Sequence, residues 1–382
     1  VVELARPLFE ELTERIVRNG SIRFDEYMEL ALYYPDGGFF GSGGGAGRAS
    51  ADFITSPEVG PLFGAVVAEF LDARWQELGC PDPFVVIEAA AGRGALALAI
   101  RAAEPACSAA LRYVLVERSE LLRDRQARYL PLVHPFEIFG PASDEDVGLR
   151  AVDQGIGPLF CSLADLPAEA IRGVVIANEL LDNLPIRILE RTQNGWFELR
   201  VTLADGELEE LLVPADPSVQ RAADELLPQA LLGVRIPLQS QAVHWMYQAL
   251  GVTQAGSVLV IDYCASSQDM AERRSEEWLR TYRSHGRGSN PLMVPGTQDI
   301  TCEVAVDQLE RFSAAFQRCT QADWLRRWGI ERFVDEGRQI WSEGAAAGNL
   351  AAVRGRSRVA EAEALLDPGG LGGFEVLEWR IG

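Results

Sequence analysis

The chain contains no lysine. All 35 positions in its lysine-plus-arginine count are arginine, and it has only three histidines, His134, His244 and His285. That excludes a Schiff-base lysine, a phosphate-loop lysine and lysine general-base chemistry. The six cysteines, Cys80, Cys107, Cys161, Cys264, Cys302 and Cys319, form no CxxC pair and do not cluster with the histidines. A zinc centre is therefore not expected, and the cysteines read as small apolar residues of a reducing compartment. A reducing cytoplasm fits that usage. No apolar run reaches membrane-spanning length and no signal peptide is visible. The chain begins at Val1, so a removed targeting segment stays open. No internal repeat or long low-complexity tail is present. Positive charge is also scarce: the formal net charge is -21. This disfavours nucleic acid, whose phosphates need a cationic surface, and suits a basic partner, although an acidic surface also serves solubility.

What is there begins with Phe84 to Ile100, FVVIEAAAGRGALALAI. Phe84-Val85-Val86-Ile87 is β-branched and aromatic and reads as a buried parallel strand. Glu88 stands at its end. Gly92 and Gly94 allow a sharp turn, and Ala95 onward is strongly helix-forming. Ligands of open α/β sheets bind outside the carboxyl ends of the strands, so the turn marks a crevice. GRGALA is only a partial dinucleotide fingerprint, and a carboxylate ahead of it repels a diphosphate. S-adenosylmethionine (SAM), cationic and without phosphate, suits it better.

A second strand, Arg112 to Val116, runs into Glu117, where an acid bonds ribose hydroxyls in both SAM and nicotinamide sites. Ser119 is expected to cap a helix from Glu120 to Tyr129. A third strand, Val174 to Ala177, ends in Asn178-Glu179, with Asp182 and Asn183 one turn later. Two acids and two amides beside a buried strand are costly unless paired or used, and they are expected to face the same crevice.

Elsewhere, Pro7–Arg18 and Phe24–Leu32 read as amphipathic helices, and Tyr33–Ser50 as a glycine-rich loop or hairpin. Thr55-Ser56-Pro57-Glu58 reads as a capped helix start, with Pro57 in the first turn, followed by a helix over Leu62–Leu78. Trp196–Val213 alternates around Asp205-Gly206 and reads as a hairpin. Pro214–Gly251 reads as helical, Ser257–Asp262 as a core strand, and Ala271–Arg283 as a helix reaching His285. Asp307–Gly329 reads as one or two helices, Val353–Leu366 as the last helix, and Phe374–Ile381 as a final strand.

Several blocks then occur in order: ADFITSPEVGPLFG (51–64), IEAAAGRGAL, LVERSELLRDRQ (115–126), NELLDNLPI, VLVIDYC, LRTYRSHGR and PGTQDIT. On these the chain resembles the MidA family of SAM-dependent methyltransferases, relatives of a mitochondrial protein arginine methyltransferase that assists respiratory complex I assembly. The resemblance implies an α/β fold with a Rossmann-like methyltransferase sheet. An N-terminal helical and loop segment, 1–82, would cover the cofactor site. The methyltransferase domain would be 83–382, with 205–255 inserted as a helical and hairpin cap. It implies SAM as cofactor and an arginine-bearing protein as acceptor, with a homodimer among the partner expectations. The chain departs from the family's E-x-G-P-G-R-G-T turn at Ala90, Ala91 and Ala95. Cys264 stands where glycine often follows IDY, and Glu303 and Ala305 replace residues that are often His and Asp.

Residues and resemblance together give Thr55, Ser56, Pro57, Glu88, Gly92, Gly94, Glu117, Arg118, Asn178 and Glu179 as cofactor-binding. Glu179, Asp182 and His285 are the catalytic candidates, and no metal is expected. Carboxylates would orient a protonated guanidinium in bidentate geometry; Glu179 and Asp182 fit that role. Binding SAM alone for Glu179, and capping alone for Asp182, are the competing roles. Asp52 and Glu58 flank the FITSP segment, and His285 would be a base for a hydroxyl or amine acceptor. Three other readings stay open. They are a small-molecule methyltransferase, favoured by the altered motifs; a binding module without catalysis, favoured by Ala90 and Ala91; and, more distantly, a nicotinamide dehydrogenase.

Overall fold

The computed structural model describes residues 6–42, 54–140, 154–283, 286–311, 313–345 and 349–382. Two compact units are drawn from interleaved stretches of chain. The first takes residues up to 53, 180–247 and 263–314; the second takes 54–179, 248–262 and 315–382.

The second unit holds a seven-stranded sheet: β1 (Phe84–Ala89), β2 (Leu111–Val116), β3 (Leu159–Leu163), β4 (Ile171–Asn178), β5 (Thr253–Asp262), β6 (Gln317–Thr320) and β7 (Glu375–Ile381). Their spatial order is β6-β7-β5-β4-β1-β2-β3. β1 to β5 pair in parallel, and β7 runs antiparallel between β5 and β6. The order reverses between β1 and β4, the switch point where such sheets bind ligands. β1 and β2 are buried along their whole length, as expected for strands covered by helices on both faces. The core packs Phe63, Phe70, Phe84, Val86, Tyr113, Phe160, Ile176, Leu259 and Trp324. Flanking helices run over Pro61–Glu77, Ala95–Ala103, Gln321–Arg327, Ile330–Gly344 and Leu350–Leu366. Residues 54–82 thus belong with the sheet.

The first unit contains helices Arg6–Asn19 and Phe24–Tyr33 and an antiparallel sheet of Ile22–Arg23, Arg187–Thr192, Gly195–Ala204, Glu207–Pro214 and Arg235–Leu238. Leu8, Leu12, Tyr27, Met28, Ile188, Leu199 and Trp278 form part of its core. The Asp205-Gly206 hairpin is present, with both residues at positive φ as its turn demands.

Four sequence expectations are corrected. Ala271–Arg283 is not one helix: a single turn at Ser275–Trp278 leads into a strand, Leu279–Arg283, paired with Asp299–Cys302. The alternation Leu279, Thr281 and the inward bond from Thr281 Oγ1 to the Ser289 carbonyl (2.6 Å) favour the strand. Pro214–Gly251 contains the strand Arg235–Leu238, and Asp307–Gly329 contains β6. The helix after Ser119 ends at Gln126, and the Ser119 side chain does not cap it.

Candidate functional site

At the carboxyl end of β1 the chain makes its turn with Ala90 and Gly92 at positive φ (57° and 53°), then Gly94 at 82° as the N-cap of Ala95–Ala103. Ala90 therefore holds the backbone shape that glycine adopts more cheaply, and its side chain is exposed. Ala91 is buried in the core and donates its N–H to the Val116 carbonyl (3.1 Å). The alanine departures leave the turn intact. A Cβ at Gly94 would sit 3.0 Å from Leu115 Cδ2 and 3.2 Å from Leu130 Cδ1, so close packing and conformation both call for glycine there.

Glu117 follows β2. Its Oε2 accepts the Gly92 N–H (2.9 Å) and its Oε1 the Ser119 N–H (2.8 Å). It thus braces the turn, which sequence reasoning had not assigned to it. Arg118 is exposed, and its carbonyl, like that of Glu117, accepts from Arg123. Gln126 was missed: its amide donates to the Gly92 carbonyl (2.8 Å) and accepts from Ser162 Oγ (2.6 Å), tying turn, helix and β3 together.

Glu88 is 5 % exposed and accepts from the Tyr113 hydroxyl (2.8 Å). Burial pushes its pKa up to about 8; the Tyr113 bond opposes this and the nearby Glu117 charge adds to it. Burial likewise raises Glu117, against the backbone N–H groups that stabilise its charge.

β4 ends at Asn178, paired with Ile261 of β5. Its Nδ2 donates to Glu179 Oε1 (3.0 Å), which fixes the amide orientation, and its Oδ1 is buried with no hydrogen-bond partner among the described residues. Glu179 has a positive φ of 51° and donates its N–H to the Ile261 carbonyl (2.8 Å). Such strain in a non-glycine residue concentrates at functional sites. Glu179 Oε1 also accepts the Ser56 N–H (3.2 Å). Ser56 is thereby joined to the end of β4.

Thr55 is the N-cap of the one-turn helix Ser56–Val59, with Pro57 at its start, and makes no side-chain cap bond. The Ser56 hydroxyl bonds Gln321 (2.9 Å) in the interior. Glu58 pairs with Arg93 (3.0 Å). Glu361, also unforeseen, accepts the Leu62 N–H (2.9 Å), and its carboxylate occupies the space a Cβ on Gly60 would need.

Asp182 lies in the first unit, whereas Glu179 is the last residue of its stretch in the second. Asp182 is 4 % exposed and accepts from Tyr263 Oη at its Oδ2 (2.8 Å). Burial pushes its pKa up to about 6, with the Tyr263 bond pulling it down. Asn183 donates to Asp299 Oδ1 (2.9 Å) and to the Ile300 carbonyl (3.2 Å). Asp52 and His285 lie outside the described residues.

The carboxyl ends of β1, β2 and β4 carry carboxyls of raised pKa and an amide oxygen that is unpaired among the described residues. Those groups accept from hydrogen-bond donors, and a bound cation draws the carboxyls into their ionised form, so the residues present fit SAM. Among the described residues no cluster of His, Cys, Asp and Glu could hold a metal, and no helix is long and apolar enough to cross a membrane.

Comparison with known proteins agrees. A model of the family described as "Putative S-adenosyl-L-methionine-dependent methyltransferase" matches residues 66–322. The mitochondrial protein arginine methyltransferase NDUFAF7 of Bos taurus is 27% identical over 348 residues, covering 85% of this chain and 74% of the relative. The human protein of that name is 26% identical over 348 residues, with coverage of 85% and 74%. Among solved structures, a Burkholderia thailandensis protein bound to S-adenosyl-homocysteine superposes with a TM-score of 0.78 at 25% identity, over 99% of this chain and 93% of that one.

Proposed function

From the premise that the chain belongs to this family and is a SAM-dependent methyltransferase, we propose that its acceptor is an arginine side chain of a protein. When bound, SAM supplies a methyl group already activated on a sulfonium. The chain's own work is to bind, orient and exclude water, and holding reactants in near-attack geometry is worth roughly 7–11 kcal/mol. In this reading Glu117 takes the ribose hydroxyls, Glu88 and the Asn178 Oδ1 the cationic end of the cofactor, and the Gly92–Gly94 turn lets the backbone approach it. Thr55, Pro57 and Arg118 border it, and Ser56 acts through its backbone bond to Glu179.

The observation that carries the acceptor assignment is the buried Asp182 carboxylate. A guanidinium stays protonated and needs a fixed anion. Asp182 stands three residues beyond Glu179 in the chain. Burial raises the Asp182 pKa to about 6, against the Tyr263 bond that lowers it, which leaves the group ionised at neutral pH and able to take the proton a methylated nitrogen sheds. The names of the curated relatives support an arginine acceptor. As in those eukaryotic relatives, a mitochondrial location is proposed only if the source is eukaryotic; for a bacterial chain it is the cytoplasm.

The test is incubation with methyl-labelled SAM and a whole-cell protein extract, followed by acid hydrolysis. Label in methylarginine is expected. Label confined to small molecules, with none in arginine, would overturn the acceptor assignment and favour a small-metabolite substrate.

A further inference from the structure

We propose that Tyr263 is a positioning residue for the acceptor side of the reaction, fixing one oxygen of Asp182 through the hydrogen-bonded chain Thr301–Tyr263–Asp182. The proposal rests on the arginine reading above and deepens it.

Tyr263 directly follows the last residue of β5. Its hydroxyl lies 2.8 Å from Asp182 Oδ2 and in hydrogen-bond contact with Thr301 Oγ1. A phenol carries one proton. With Asp182 ionised, that proton goes to the carboxylate, and the Thr301 hydroxyl donates to the phenol oxygen. The chain has a single polarity that favours the charged carboxylate.

Each member is held. Thr301 is 2 % exposed, in the strand Asp299–Cys302, directly paired with Arg280. The Arg280 guanidinium covers the Tyr263 ring at 5.6 Å and is itself gripped by Glu303, which also binds Arg273 (2.5 Å). The Tyr263 carbonyl accepts the Val304 N–H (3.0 Å). Ring, hydroxyl and carboxylate therefore have little rotational freedom, which is what a preorganised acceptor site needs.

Among the described residues, the charged and titratable groups around Asp182 include Tyr263 and, beyond it, Arg280 with Glu303, the neighbouring thiol Cys302, and Asp299 through Asn183. The Tyr263 bond is the foremost contribution that holds the Asp182 charge against burial, ahead of the backbone N–H groups of Asn183 and Asp182.

Tyr263→Phe keeps the ring and its stacking on Arg280 and deletes only the hydroxyl. The Asp182 carboxyl is titrated by 13C NMR in aspartate-labelled protein, its resonance assigned with Asp182→Asn. Its midpoint is expected to rise by about one unit in Tyr263→Phe, and less in Thr301→Val. Unmoved midpoints in both variants overturn the proposal. Binding of N-acetyl-arginine amide to the protein saturated with S-adenosylhomocysteine is then measured across pH 5–8. Tyr263→Phe is expected to bind about tenfold more weakly at pH 5 and about twofold more weakly at pH 7, the difference closing as pH rises further. A wild-type chain that ignores this probe overturns the arginine reading and the acceptor role of Tyr263 with it. A wild-type chain that binds it, with Tyr263→Phe binding equally well at every pH, overturns Tyr263 alone.

Discussion

Replacing Glu88 with glutamine should stabilise the ligand-free protein and weaken its hold on SAM. Glu88 pairs with Leu115 and Ile176 in the middle of the sheet, and among the described residues the Tyr113 hydroxyl is what offsets the loss of water around its carboxyl. Its pKa rises from the ordinary 4.5 to about 8. At pH 7 the unfolded chain holds this group ionised, while the folded chain keeps it mostly protonated. Over the 2.5 units between 4.5 and 7, at 1.36 kcal/mol each, folding loses up to about 3 kcal/mol. The sign follows from the raised pKa: the wild-type stability is fully present below pH 4.5 and is lost as pH rises through about 8. Glutamine carries no such dependence and still offers Tyr113 a partner, so about 1–3 kcal/mol of the loss should be recovered at pH 7 and almost none at pH 4.5. In the SAM titration the order should reverse, because the carboxylate that opposes folding is the one proposed to meet the cationic ligand. Urea unfolding at pH 5 and 7, with calorimetric titration of SAM, measures both. Parallel stability curves for the two proteins, or equal SAM affinities, would refute the reasoning.

Wild-type affinity for SAM should itself increase between pH 6 and 8.5 as the Glu88 proton becomes easier to displace; a flat calorimetric profile would contradict this. Glu117→Ala loses two bonds to backbone N–H groups as well as its proposed ribose contact. Stability and SAM affinity should each fall by about 1–3 kcal/mol, and unchanged SAM affinity would remove Glu117 from the cofactor site. Glu179→Gln should slow single-turnover transfer more than it weakens SAM binding if Glu179 faces the acceptor, whereas equal losses would make it a cofactor ligand. Gly94→Ala forces a methyl group toward Leu115 and Leu130 at a φ of 82° and should cost about 1–2 kcal/mol in thermal unfolding; an unaltered melting temperature would show that the turn relaxes.

The central strands were legible because their signal is local. Phe84–Ile87, Arg112–Val116 and Val174–Ala177 are short apolar runs, each closed by an acid or amide, and the crevice follows from the sheet rule alone. β6 was not legible: Gln317–Thr320 is polar and half exposed, and only its partner Glu375–Ile381 makes it a strand. Leu279–Arg283 was mistaken for helix because the arginines and glutamates before it mask a period of two over so short a run. Ser119 looked like a cap, but Glu117 two residues earlier bonds its N–H instead. The partners that brace the site were invisible for a different reason. Gln321 reaches Ser56 and Glu361 reaches Leu62 across more than 250 residues of chain, and no spacing rule covers such pairs. The Asp182–Tyr263–Thr301 chain likewise joins three blocks that sequence could order but not bring into contact.

The account turns on an adenosyl sulfonium ligand meeting acids at the carboxyl ends of β1, β2 and β4. A crystal structure of this chain with S-adenosylhomocysteine tests it most directly. The ribose hydroxyls should bond Glu117, and the amino group of the ligand should reach the Asn178 Oδ1. A ligand lodged away from these strand ends, with Asn178 Oδ1 still unpaired, would contradict it.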